Sequence, residues 1–479
     1  MDVVKKIKES PNIRWFILAN VALGTFMATL DSSIVSVALP TMSDEFKTNL
    51  GTLQWVVTAY LLTISSLLPV FGKLADILGR KRVYSTGFIF FTLGSALCGM
   101  SANLWMLVSM RVVQAIGASM LMANNQALLV SAFPLHERGR ALGLNGTMVA
   151  LGALSGPALG GVLVGLMGWR SVFYVNLPIG IIAFLVAQVI LPHDLPKHEK
   201  IKFDSTGALL FAVGMICVLY AINNGQAQGW GSPLIIGGIV IGILLLSIFM
   251  RFERRITDPI IDFDLYKNKP FLIGNLSSFL SFTGQFANTI LMPFYLQQIL
   301  KYSTTQVGLL MTAFPLAMAI IAPLSGYLSD EIGPMILTTG GLITIASGLL
   351  YLTTTTAHSA FWMIFPGPLL MGIGAGMFNP PNTSSVMNAV PKNKLGIAGG
   401  LNALVRNVGM VVGTTLSVTL FENREASLLA NIQHPSASQT VSAFMTSYHT
   451  VMLVGAIIIL IATAVSINRV VPPHNGEQF

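Results

Sequence analysis

Two charged side chains stand where charge is costly. Asp31 lies inside the apolar run 15–39, and Arg111 lies inside the apolar run 104–131. A central Asp or Arg costs about 2.5–3.5 kcal/mol on insertion scales, so such residues face a cavity or a partner. At a rise of about 1.5 Å per residue, Asp31 sits about 12 Å and Arg111 about 10 Å from the outer ends of their runs. A carboxyl at that depth can take up and release a proton, and a guanidinium beside it can tune the exchange. Of the 19 acidic residues, Asp31 is the one placed well inside a run. Burial favours the neutral acid, whereas an adjacent Arg favours the anion. Proton carriage therefore requires the pair to loosen in at least one conformation, or a substrate to compete for the carboxylate.

Other spacings suggest mechanical roles. Gly72 and Gly79 permit a tight turn, and Asp76 falls within about one helical turn of Arg80, Lys81 and Arg82, near enough for charge pairing. Gly152, Gly156 and Gly160 recur every four residues as one smooth helix stripe. Gly161 and Gly165 form an adjoining stripe, and Pro157 removes a backbone donor. Asn20, Asn124, Gln126, Gln285, Asn288, Asn379 and Asn382 are amides within apolar runs and are candidates for lining a polar cavity. Interhelical hydrogen bonds account for most such amides equally well. Cys98 and Cys217 fall mid-run and suit neither a disulfide framework nor a metal site.

The elements that position these residues must be membrane helices. Of the 479 residues, 53% are hydrophobic and only 10% are charged, whereas a soluble surface needs roughly a quarter charged. Fourteen spans are predicted, at 15–39, 52–71, 83–100, 104–131, 141–167, 172–191, 204–223, 233–249, 271–296, 306–326, 336–356, 361–387, 397–420 and 447–468. With both termini cytoplasmic, 21 of the 27 basic residues fall in cytoplasmic segments and four in outer loops. That is the bias of a membrane protein. Spread over many short loops, the charge gives no nucleic-acid surface. The six tryptophans fall at or beside predicted span ends, and the longest outer loop is expected at roughly 421–446.

Self-comparison exposes a duplication. GKLADILG at 72–79 recurs as GYLSDEIG at 326–333, an offset of 254. AIGASM at 115–120 meets GIGAGM at 372–377, and GLN at 143–145 meets GLN at 400–402, both at an offset of 257. The expected fold is an all-α polytopic membrane protein of two parallel six-helix repeats, 1–200 and 256–479, with two inserted helices in 201–255. Arg406 takes the place that Val149 holds in the first repeat, and Gln285 stands near the repeat position of Asp31.

Over nearly its whole length the chain resembles the fourteen-helix drug–proton antiporters of the major facilitator superfamily. The likeness rests on LDSSIVSVALP at 30–40, GKLADILGRKR at 72–82, RVVQAIGA at 111–118, GALSGPALGG at 152–161 and WRSVFYVNLPIG at 169–180. The resemblance implies alternating access with protons as the coupling ion and no cofactor. It implies that 72–82 is a cytoplasmic latch holding one conformation, and that the 152–161 stripe closes against the other half. The expected setting is a bacterial cytoplasmic membrane, where the protein works as a monomer on amphiphilic small molecules. Pumps of this family that expel dications often carry acidic residues in the second half; this chain has Arg406 instead, which speaks against dications. A native lipid or metabolite as cargo is the first rival, and a sensor that does not cycle is the second. No nucleophile–base set or metal spacing suggests an enzyme. If Asp76 holds one state against the basic cluster, Asp76→Asn will slow turnover more than it weakens substrate binding. An unchanged turnover rate in reconstituted vesicles would reduce the loop to a plain turn.

Overall fold

The computed structural model describes residues 12–134, 138–191, 204–256, 259, 261–391, 394–430, 432 and 435–468, and among them it contains no strand. Long helices occupy each predicted run. In the first half they are α1 (Ile13–Phe46), α2 (Trp55–Leu78), α3 (Arg80–Gly99), α4 (Leu104–Ala132), α5 (Arg138–Met167) and α6 (Asn176–Ile190). The inserted pair is α7 (Ser205–Gln228) and α8 (Pro233–Glu253). The second half holds α9 (Lys269–Phe294), α10 (Ala313–Ile332), α11 (Pro334–Leu352), α12 (Pro366–Asn388), α13 (Leu395–Leu429) and α14 (Ala437–Ile467). Short pieces lead into some of them, notably Leu50–Leu53 before α2 and Thr304–Met311 before α10.

Eleven segments are long and apolar enough to cross a membrane. The other three long helices fall short for local reasons. α3 opens on Arg80, Lys81 and Arg82. The apolar part of α5 is the shorter Leu154–Met167. α9 carries Asn275, Ser277, Ser278, Ser281, Thr283, Gln285 and Asn288, all buried against protein rather than offered to lipid. Two tight reversals keep the helices antiparallel. Gly79 has φ of +99° and Gly333 +83°, a conformation that side chains with a Cβ resist, and the two are repeat equivalents.

Two expectations need correction. The outer loop foreseen at 421–446 is mostly helix, because α13 continues to Leu429 and α14 begins at Ala437. A reciprocal cap between Ser436 and Gln439 starts α14 early. Trp169 is not an interfacial anchor. It is buried, packs edge-on against Phe46 and Phe173, and its indole donates to Glu45 at 2.6 Å.

Within the first half α1 packs on α5 and α3 on α4; within the second, α9 packs on α13 and α11 on α12. The halves meet toward the face opposite Ile13 and Ile467, the far face. There Thr305 Oγ1 donates to the Gly161 carbonyl (3.4 Å), Gln297 Nε2 to the Val37 carbonyl (3.2 Å), and the Gly51 amide to Glu422 Oε1 (2.6 Å). At the other face, Gly72, Gly326 and Gly400 have no described atom within 4 Å of where a Cβ would sit. Those three hydrogen bonds between the halves all lie at the far face, where they seal the seam. α7 lies over one edge of that seam. Its Tyr220 ring meets Trp55 of α2 at 5.7 Å, and its Asn223 Oδ1 accepts from Thr415 of α13 at 2.8 Å.

A Cβ on Gly308 would collide with the Pro157 carbonyl oxygen across the seam. In a Cys98→Ala, Cys217→Ala background, the pair Gly165→Cys and Thr305→Cys is expected to cross-link readily. Adding Gly308→Val is expected to slow that cross-linking several-fold. An undiminished rate would mean that this contact does not seal the far face.

Candidate functional site

Asp31 and Arg111 meet inside the first half. Arg111 Nη1 donates to Asp31 Oδ2 at 2.6 Å and to Gln114 Oε1 at 2.7 Å. Gln114, three residues on along α4, returns its Nε2 to Asp31 Oδ1 at 2.8 Å. Asn176, at the start of α6, donates to the same oxygen at 3.0 Å and to Ser95 Oγ of α3 at 3.1 Å. Three donors thus converge on a carboxylate, which can only accept. The guanidinium is held from its other side as well. Arg111 Nε donates to the Val56 carbonyl of α2 at 3.1 Å, and its Cζ lies 4.0 Å from the Tyr60 ring centroid.

Nothing in this set touches solvent. Asp31 is 0% exposed and Arg111 1%. Of the two settings expected for such charges, a cavity or a partner, the pair takes the second: five helices of one half enclose it. A buried ion pair survives only when its remaining lone pairs and protons are also met, and here Gln114, Asn176 and Val56 meet them. Gln114 and Asn176 fall within motifs that sequence reading quoted, but neither was singled out. The available signal was Gln114 on the Arg111 face, one turn along.

The other candidates are scattered. Gly152, Gly156 and Gly160 do not face the other half; they back onto Phe26–Leu30, Ser33 and Ile34 of α1. Gly161 and Pro157, turned by the helix onto the neighbouring stripe, do face it, against Thr304–Gly308. In the 72–82 turn, Lys81 Nζ donates to the last carbonyls of α6, Gln188 (2.8 Å) and Leu191 (2.9 Å), and Arg80 reaches the Ala127 carbonyl. The side chains of Asp76 and Gln126 lie outside the described residues. Among the supposed cavity amides, Asn20 donates to Ala183, Asn124 to Met120, Gln285 to Ser281 and Asn382 to Gly274 and Ser278. Asn288 is buried too. Only Asn379 and Arg406 are half-exposed. Asn20 and Asn382 tie helices within a half, whereas Asn124 and Gln285 bond back one turn along their own helix.

Two repeated six-helix bundles, joined at one face, with a sealed ion pair in one of them, define a multi-pass membrane transporter. The chain belongs to the Major Facilitator Superfamily, whose profile matches residues 21–414 and 274–478. It is 38% identical over 408 residues to the riboflavin transporter RibZ of Clostridioides difficile, covering 85% of this chain and 88% of that one. It is 33% identical over 392 residues to the multidrug resistance protein Stp of Mycobacterium tuberculosis, covering 82% and 73%. A bacterial homologue of the human lysosomal transporter Spinster, solved in an inward-facing and unoccupied conformation, shares the fold. Its TM-score is 0.68 at 15% identity, over 96% of this chain and 97% of that one.

Removing one partner of a buried charge pair costs about 3–5 kcal/mol, because the other charge is stranded. Arg111→Leu is expected to lose about that much stability, and Asp31→Asn with Arg111→Leu to recover most of it. Thermal unfolding of the single and double variants in detergent checks this coupling.

Proposed function

We propose that the chain crosses a bacterial cytoplasmic membrane fourteen times with both termini inside, and exports small amphiphilic compounds in exchange for protons. The observation that carries this reading is the enclosed Asp31 with its three converging donors, displaced toward the sealed face. On this topology the far face is external, so the described state opens to the cytoplasm. Asp31 is the proton carrier and Arg111 couples it to the seam. Arg111 holds Val56, in the first turn of α2, and just before that turn Gly51 is hydrogen-bonded to Glu422 of the other half. When a proton reaches Asp31, the acid no longer balances Arg111, the hold on the start of α2 slackens, and the external seal loosens with it. The cycle is alternating access between two packed states.

A second reading is favoured by the likeness to RibZ. In it the physiological cargo is a vitamin-like metabolite and drugs are incidental passengers. Uptake of riboflavin into proteoliposomes in preference to cationic dyes would select it.

Energetics sharpen the first reading. With one proton exchanged, about 100 mV inside negative and about one pH unit, the pH term gives about 1.4 kcal/mol and each net charge moved about 2.3 kcal/mol. A neutral compound then leaves with about 3.7 kcal/mol behind it, whereas a dication faces about 0.9 kcal/mol uphill. Asp31→Asn is expected to abolish proton-driven uptake into inverted vesicles while the protein remains folded and inserted. Uptake at the wild-type rate would remove Asp31 from the coupling. Robust concentration of a dication would reveal a second proton site.

A further inference from the structure

The two repeats treat one polar contact differently. In the first half, Asn125 Nδ2 donates to Thr25 Oγ1 at 2.9 Å, and Thr25 Oγ1 lies 2.9 Å from Asn145 Oδ1. One chain of three side chains joins α4, α1 and α5. In the second half Asn382, the repeat of Asn125, likewise donates to Ser278 Oγ at 2.9 Å. Ser278 holds the place of Thr25, since Gly409 backs onto the Phe279 carbonyl as Gly152 backs onto that of Phe26. The third member should be Asn402, the repeat of Asn145. Among the described residues its Oδ1 is instead buried with no hydrogen-bond partner.

One turn further along the same face of α13 stands Arg406 in place of Val149. It is half-buried, and among the described residues it has no hydrogen bond or ion pair. Eleven residues into α13, it lies about 16 Å from the terminal-face end of that helix. α13 borders both halves, packing on α9 and on α2. Three residues before Gly409 and seven before Gly413, Arg406 lies on the side of α13 that those glycines turn toward α9, opposite Thr415, which meets α7. An Arg at this depth that keeps partial exposure on such a face is tolerated because it meets the protein interior, not lipid. Asp31 and Arg111 neutralise each other, so Arg406 leaves the interior with an unbalanced positive charge.

We propose that Arg406 and Asn402 form a substrate subsite of the second half that takes an anionic group, a carboxylate or a phosphate. A hydroxyl or amide N–H beside that anion donates to Asn402 Oδ1. The subsite rests on the transport reading and adds the charge class of the cargo. Its test is equilibrium binding to the otherwise wild-type protein, which needs no proton gradient, so its outcome does not depend on the coupling assignment of Asp31.

The probes are indole-3-acetate, indole-3-acetamide and tryptamine, an acid, an amide and an amine of similar shape, with the protein in phosphatidylcholine nanodiscs at neutral pH. The acid is expected to bind at least about tenfold more tightly than the amide. Arg406→Gln should erase that preference and Arg406→Lys should keep most of it. Indole-3-lactate should outbind indole-3-propionate, and Asn402→Ala should remove that advantage. Because Arg406 has no protein partner to lose, ligand-free Arg406→Gln should melt at the wild-type temperature. Equal affinity for the three probes, no detectable binding of the acid, a preference that survives Arg406→Gln, or a loss of ligand-free stability would each overturn the proposal. Phosphatidylglycerol added to the discs separates the sources. Displacement of the acid from wild type supports the anion site with a lipid phosphate as a further occupant, and no displacement supports it with a soluble cargo.

Discussion

A carboxylate cannot be left alone in a membrane interior, and the first half of this chain is arranged around that fact. Asp31 fixes where α4 must bring Arg111 and Gln114, where α6 must begin so that Asn176 arrives, and how close α3 must stand to steady Asn176 through Ser95. α2 is drawn in because Arg111 has a second donor to place, and the Val56 carbonyl takes it. Gln114 is satisfied at both its oxygen and its nitrogen, whereas Asn176 Oδ1 has no partner among the described residues. Low dielectric makes such a network strong when complete and costly when one link is missing. A change at the carboxylate is therefore transmitted to the start of α2 through hydrogen bonds that have no solvent to replace them.

The two halves are copies in architecture and differ in what they do with polarity. Both use glycines to bring the fifth helix of the repeat against the first, Gly152 and Gly156 in one and Gly409 and Gly413 in the other. Both retain an Asn on the fourth helix donating to a hydroxyl on the first. In the first copy the Thr25 hydroxyl joins Asn125 to Asn145, although Asn125 Oδ1 has no partner among the described residues. In the second, among the described residues, Asn402 Oδ1 and the Arg406 side chain have none. Helix packing is thus conserved between the repeats while charge is not, as expected when packing serves the fold and charge serves the cargo.

Much of this was legible in the sequence because the bilayer imposes a length and an offset. Apolar runs located the long helices, and the fixed offsets between motifs showed which helix repeats which. The depth of Asp31 and Arg111 could be counted residue by residue. What could not be counted was direction around a helix once several faces are apolar. That is why a cavity and a partner were both open to Asp31, which is enclosed, and why Gly152, Gly156 and Gly160 were assigned to the seam and pack on α1. The amides were misplaced for a related reason. An Asn lining water and an Asn tying two helices carry the same letter, and the partner that distinguishes them lies on another helix. The extent of α13 was missed because its polar end reads as a loop until the Ser436–Gln439 cap starts α14 early.

The inserted pair gives the molecule a handed outline. α7 spans one edge of the seam, touching α2 through Tyr220 and α13 through Asn223, while the opposite edge is formed by α5 with Thr304–Met311 and α10. Two bundles that rock about a common seam would present identical flanks to the surrounding lipid. With one flank covered by α7, itself backed by α8, and the other closed by α5 against Thr304–Met311 and α10, the two sides of the seam are unlike surfaces, so lipid or a neighbouring protein meets a different face depending on the side from which it approaches.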